Sequence, residues 1–170
     1  TIRVQNVFVA KEYTFQLGKQ RNDFINEVTT LPFMPFSEAS FLSVCLGLTE
    51  SYLDEAAKIT KEKHALHKLE RHQQLLSRID EQRAHFCQID KHFSNKLNSL
   101  WNAHVMGALS EEDIAEFSKM STESASACLD ICHKIFRKMG MDAILTFTRL
   151  NQIWRDLQTA SQHGFLTAGL

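Results

Sequence analysis

RLNQIWRDLQTASQH, residues 149–163, combines Leu150, Ile153, Trp154 and Leu157 with two arginines, an aspartate, three glutamines and a closing histidine. At 100° per residue it divides into an apolar side (Leu150, Ile153, Trp154, Leu157, Ser161, Gly164, Phe165) and a polar side (Gln152, Arg155, Asp156, Thr159, Gln162, His163). The pattern predicts an amphipathic helix from about Thr148 toward Leu166. A merely solvated face tends toward interchangeable Lys and Glu, whereas Arg, Gln, Thr and His are suited to oriented hydrogen bonds.

Working back along the chain, the pattern is helical from Ser37 onward. A first helix is expected from Ser37 to about Thr60, and a second, very long one from about Lys61 to Met106, with Leu66, Leu69, Leu76, Ile79, Phe86, Phe93, Leu97 and Leu100 at three- and four-residue steps. At 1.5 Å per residue the second reaches about 60 Å, so it is expected to bend, break or extend into a partner subunit. Gly107 ends it, and Ser110 with the acidic run to Asp113 starts a third helix whose apolar face includes Ile114, Phe117, Cys128, Ile131, Ile135 and Met139, closed by Gly140. The expectation is an all-α, antiparallel up-down four-helix bundle over residues 37–170. Ahead of it, residues 18–36 read as a connector broken by Pro32 and Pro35. Residues 1–17, with Ile2, Val4, Val7 and Val9, read as a single strand left over from a β-domain whose other strands lie upstream.

Composition bounds the function. Nineteen basic and twenty acidic residues give a net charge of −1, which argues against nucleic acid or an anionic membrane as partner. No apolar run approaches a membrane span and no signal peptide opens the chain, so a cytoplasmic location is expected. Cys45, Cys87, Cys128 and Cys132 lack the spacing of a disulfide framework and are read as reduced. Cys128, Cys132 and His133 have no second ligand cluster, so no metal is expected. His64, His67, His72, His85 and His92 lie along the charged helix and are read as exposed or as subunit contacts.

The terminal stretch resembles the signature of the second type of acyl-CoA dehydrogenase C-terminal domain, found in two-component flavin-dependent monooxygenases. Arg149, Trp154, Arg155, Asp156, the small residues Thr159 to Ser161, and His163 carry the resemblance. NVFVAKEYTF resembles the last strand of that family's middle β-domain, PFSEASFLSVCLGLTESYLDEA its first bundle helix, and RKMGMDAI the turn before its last helix; Ala10, where relatives often carry proline, departs from the pattern. The resemblance implies a C-terminal fragment of an enzyme that assembles through its bundles as a tetramer. Such an enzyme takes reduced flavin (FMN or FAD) from a separate reductase and transfers one oxygen atom of O2 to a small aromatic or heterocyclic substrate. It makes His163 the candidate catalytic residue, hydrogen bonding to the flavin peroxide or to a substrate hydroxyl, since imidazole can donate or accept near neutrality. Thr159 and Gln162 become candidate cofactor-binding neighbours, and Arg149, Trp154, Arg155 and Asp156 structural or interface residues. The alternatives are an acyl-CoA dehydrogenase or nitroalkane-oxidase-like enzyme, or, for the fragment alone, an oligomerisation bundle without catalysis. The Glu-Gly-Thr triplet that carries the catalytic glutamate of many dehydrogenases is absent from the chain.

Overall fold

The computed structural model describes residues 3–14 and 25–167. These hold seven α-helices: α1 (Glu27–Thr30), α2 (Phe33–His67), α3 (Glu70–Val105), α4 (Glu111–Met139), α5 (Met141–Ile144), α6 (Arg149–Ser161) and α7 (Gly164–Thr167). The expectation of four helices preceded by a strand is thereby corrected: no β-strand occurs among the described residues. Lys11–Tyr13 form a 3-10 turn inside the expected strand, Asn6 has φ 54°, and Phe8 is 90% exposed. Alternating apolar residues favour a strand only where another backbone pairs with them, and no described segment does so. The expected strand's first and last residues and part of the connector, at 1–2 and 15–24, lie outside the described residues.

Two helix boundaries also move. α2 begins at Phe33, because Pro35 stands in a first turn whose N–H groups have no acceptor within the helix, so the missing donor costs nothing. It continues to His67 rather than Thr60 and is broken by Lys68 in the left-handed region (φ 50°, ψ 33°), whose N–H donates to the His64 carbonyl at 2.7 Å. The long helix expected from Lys61 is therefore the end of α2 followed, after a sharp reversal, by α3.

Cross-helix contacts set the directions. Asp54 meets Arg83, Lys96 meets Glu116, and Phe41 meets His163, so α2 runs antiparallel to α3, α3 to α4, and α2 to the α6–α7 segment; Glu38 with Ser118 and Thr60 with Met139 make α2 and α4 parallel. α2 and α4 pack most extensively on each other and separate α3 from α6. The buried residues of α4 include Phe117, Ser121, Ser124, Cys128, Ile131 and Ile135, an alternation of three and four that aims one stripe at the core. The small members of that stripe suit a close approach of α2. α3 instead buries one residue in seven, His72, Ile79, Phe86, Phe93 and Leu100, a narrow coiled-coil seam that leaves Leu66 and Leu69 exposed beyond or at its start.

The start of α4 follows the sequence closely. The Asp113 N–H donates to Ser110 Oγ at 3.1 Å and the Ser110 N–H to Asp113 Oδ2 at 3.0 Å, a reciprocal cap. The Ser110 hydroxyl, which donates to Asp113 Oδ2 at 2.6 Å, and with it the Ser110 N–H hold the Asp113 carboxyl below its ordinary value. Ser110→Ala is expected to lower stability by about 1 kcal/mol in urea denaturation, the usual cost of a lost N-cap.

One carboxylate lies between the two central helices. Glu38 is 2% exposed and receives a hydrogen bond from Ser118 Oγ at 2.9 Å. Burial raises its pKa, and the Ser118 bond opposes this only in part. Between the ordinary carboxylate value and the raised one, folded Glu38 holds a proton that the unfolded chain has lost, so stability falls as pH rises through that window. Glu38→Gln, which keeps an acceptor for Ser118, is expected to flatten this dependence and to raise stability at neutral pH, as thermal unfolding across pH will show.

Candidate functional site

His163 does not lie on the terminal helix. α6 ends at Ser161, and His163 sits in the bend before α7, so the helical projection that placed it on a polar face fails at this residue. The bend turns the half-buried imidazole onto Phe41 of α2, with ring centroids 3.6 Å apart and planes at 18°. Phe165 stands 5.0 Å away and in turn meets Phe33 edge-on at 5.6 Å. The ring therefore rests on an aromatic shelf at the α2 N-terminal end rather than among the aliphatic residues of the core. Phe41 and Phe165 are site residues that sequence reasoning left unassigned; the adjacency of Phe165 to the motif was the available signal.

The other candidates are placed differently. Thr159 is exposed, and its Oγ1 donates back to the Arg155 carbonyl at 3.0 Å; Gln162 is exposed at the end of α6, and neither side chain hydrogen bonds to the imidazole. Arg149 donates to Gln152 Oε1 at 3.1 Å, and Arg155 reaches back to the Thr146 carbonyl at 3.4 Å. Asp156 is exposed. Trp154 is half-buried against Phe136 (4.7 Å), His133 (5.9 Å) and Tyr52 (6.2 Å), which pins α6 to both central helices.

A second site lies at the opposite end of α2. A cleft of about 560 Å³ is bounded by the end of α2 (Thr60, Lys63), the start of α3 (Arg71, His72, Arg78) and the α4–α5 junction (Lys138, Gly140, Asp142). Gly140 makes that junction with φ 60° and ψ −132°, a conformation that glycine reaches without steric cost. Lys63 is paired with Asp142 across the cleft, whereas Arg71, Arg78 and Lys138 add positive charge to its walls. His72, read from the sequence as exposed or a subunit contact, is only 7% exposed: it occupies the first position of the α3 seam, and its Nδ1 is buried without a hydrogen-bond partner. Burial lowers its pKa, and Arg71, His64, His67 and Lys63 lower it further. A neutral imidazole with an unmet polar atom, beside several cations, is a setting for an anionic oxygen-rich ligand.

The thiols offer no comparable chemistry. Cys45, Cys128 and Cys132 are buried, burial pushing Cys45 up to about 12 and Cys128 to about 11. A thiol is nucleophilic only as thiolate, so these three are packing groups. Among the described residues no group of three or more His, Cys, Asp or Glu is arranged to hold a metal, and no helix is long and apolar enough to cross a membrane.

The helical bundle thus carries an aromatic-backed imidazole at one end and a basic cleft at the other. Residues 39–168 match the family model described as Acyl-CoA dehydrogenase, C-terminal domain, and the chain belongs to that family. Its fold is similar to the crystal structure of 3-HSA hydroxylase from Rhodococcus sp. RHA1, with a TM-score of 0.73 and 14% sequence identity. That likeness covers 84% of this chain and 38% of the hydroxylase chain. No curated protein sequence matches the chain.

Proposed function

We propose that this chain is the C-terminal helical part of a flavin-dependent oxidoreductase, and within that class of a monooxygenase that uses reduced flavin and O2 to oxygenate a small aromatic or heterocyclic substrate. The observation that carries the reading is the placement of His163, whose ring is backed by Phe41 and half exposed at a bundle end. A hydrogen-bonding imidazole set against apolar rings can control proton position where water has to be excluded.

The basic cleft fits the phosphate-bearing part of a flavin nucleotide: the orphaned Nδ1 of His72 and the charges of Arg71, Arg78 and Lys138 are the residues that would hold it. When bound, reduced flavin supplies the electrons for oxygen activation. Phe41 and Thr60 are nineteen residues apart on α2, about 28 Å along its axis, further than one flavin mononucleotide spans. For FMN, the two ends of one chain would then serve different flavins in an assembly of copies, a tetramer by the family resemblance, with a reductase as the source of reduced flavin.

The test is oxygen uptake by the full-length protein with reduced flavin and a panel of phenols. His163→Ala is expected to lower product formed per oxygen consumed by about a hundred-fold, the lower range for a positioned proton-transfer group. Unchanged coupling would remove His163 from the mechanism.

A further inference from the structure

We infer that the two ring nitrogens of His163 have divided tasks, Nδ1 capping α7 and Nε2 presenting an N–H outward, and that Phe41 is the residue that positions the ring. The part concerning the outward donor rests on the monooxygenase reading; the cap and the tautomer do not.

His163 immediately precedes α7, which begins at Gly164. The first N–H groups of a helix have no acceptor within it, and the residue before the helix commonly supplies one to the second or third. Here the Phe165 N–H donates to His163 Nδ1 at 3.4 Å, while the Leu166 N–H donates to the His163 carbonyl at 2.8 Å. A ring nitrogen that accepts an N–H presents its lone pair to it, so the neutral imidazole carries its proton on the other nitrogen. Nε2 has no hydrogen-bond partner among the described residues. With its ring stacked on Phe41, centroids 3.6 Å apart, the imidazole cannot exchange its two edges without leaving that face or giving up the cap. The group offered to a reacting oxygen is thus a donor, and proton acceptance at Nδ1 would take the α7 cap with it.

Long-range 15N–1H NMR of the histidine-labelled chain tests this, with His163 assigned by its disappearance in His163→Gln. The expected spectrum has an unprotonated Nδ1 and a protonated Nε2; a protonated Nδ1, or an averaged pair, overturns the inference. His163→Asn places a carbonyl oxygen near the Nδ1 position and is expected to keep the Phe165 amide protected from hydrogen exchange, whereas His163→Gln should expose it. Equal exchange in the two variants defeats the cap. In Phe41→Leu the His163 ring protons are expected to lose their ring-current displacement while Nδ1 stays unprotonated; unmoved ring protons would remove Phe41 from its positioning role. These readings need no flavin, so their failure is separable from a failure of the oxygen-coupling assay.

Discussion

Phe117→Ala is expected to lower the unfolding free energy by about 3–5 kcal/mol, a substantial part of the stability of a domain this size. Phe117 is 1% exposed on the α4 stripe, with its ring 6.3 Å from that of Phe93 on α3. Its loss leaves a void where α3 meets the central α2–α4 pair. The adjacent residue, Ser118, bonds to Glu38, which ties α4 to α2 at this level and limits how far the helices can close over the space. Urea denaturation gives the value directly. A loss below about 1 kcal/mol would mean that the core tolerates or refills this site, contrary to the close packing on which the cost depends.

The second large effect concerns the basic cleft. Pyrophosphate serves as a probe for the phosphate end of a nucleotide. The double variant Arg71→Glu, Lys138→Glu is expected to weaken its binding by about 3 kcal/mol, roughly a hundred-fold, from two lost charge-assisted contacts. Calorimetry on the purified chain measures this, and binding by the unsubstituted chain should weaken as salt is added. The paired Lys63 and Asp142 are left intact, so the junction that shapes the cleft is preserved. Equal affinity in the two proteins would take the cleft out of the proposed flavin site. The His163 assignment would stand untouched, because it rests on the other end of α2.

Where local chemistry decides, the sequence is a sufficient guide. The reciprocal bonds between Ser110 and Asp113 join residues three apart, and the stripe from Phe117 to Met139 follows from helical periodicity alone. Gly107 and Gly140 have positive φ at the two helix ends they were expected to close. The same periodicity overreached at the terminal helix, because it assumed one continuous rod through His163. The break after Ser161 is stabilised by contacts with Phe41, more than one hundred residues earlier, and such contacts leave no trace in a local window.

The basic cleft was illegible for the same reason. His72, Lys138 and Thr60 each lie in a charged stretch, and Lys138 is far from the other two in the chain; only the reversal at Lys68 and the turn at Gly140 bring them together. Lys68 itself gave no warning, since a lysine in the left-handed region is tolerated only where the surrounding structure demands it.

The sequence by itself determined the all-helical body, the face that α4 buries, and membership of the acyl-CoA dehydrogenase C-terminal domain family, because each is carried by residue patterns along the chain. The tertiary structure alone decided that the N-terminal apolar alternation is not a strand among the described residues, that His72 is buried, and that His163 leaves its helix to stack on an aromatic ring. Those outcomes depend on backbone partners, desolvation and ring contacts between segments far apart in the chain, and these exist only once α2 and α4 have packed.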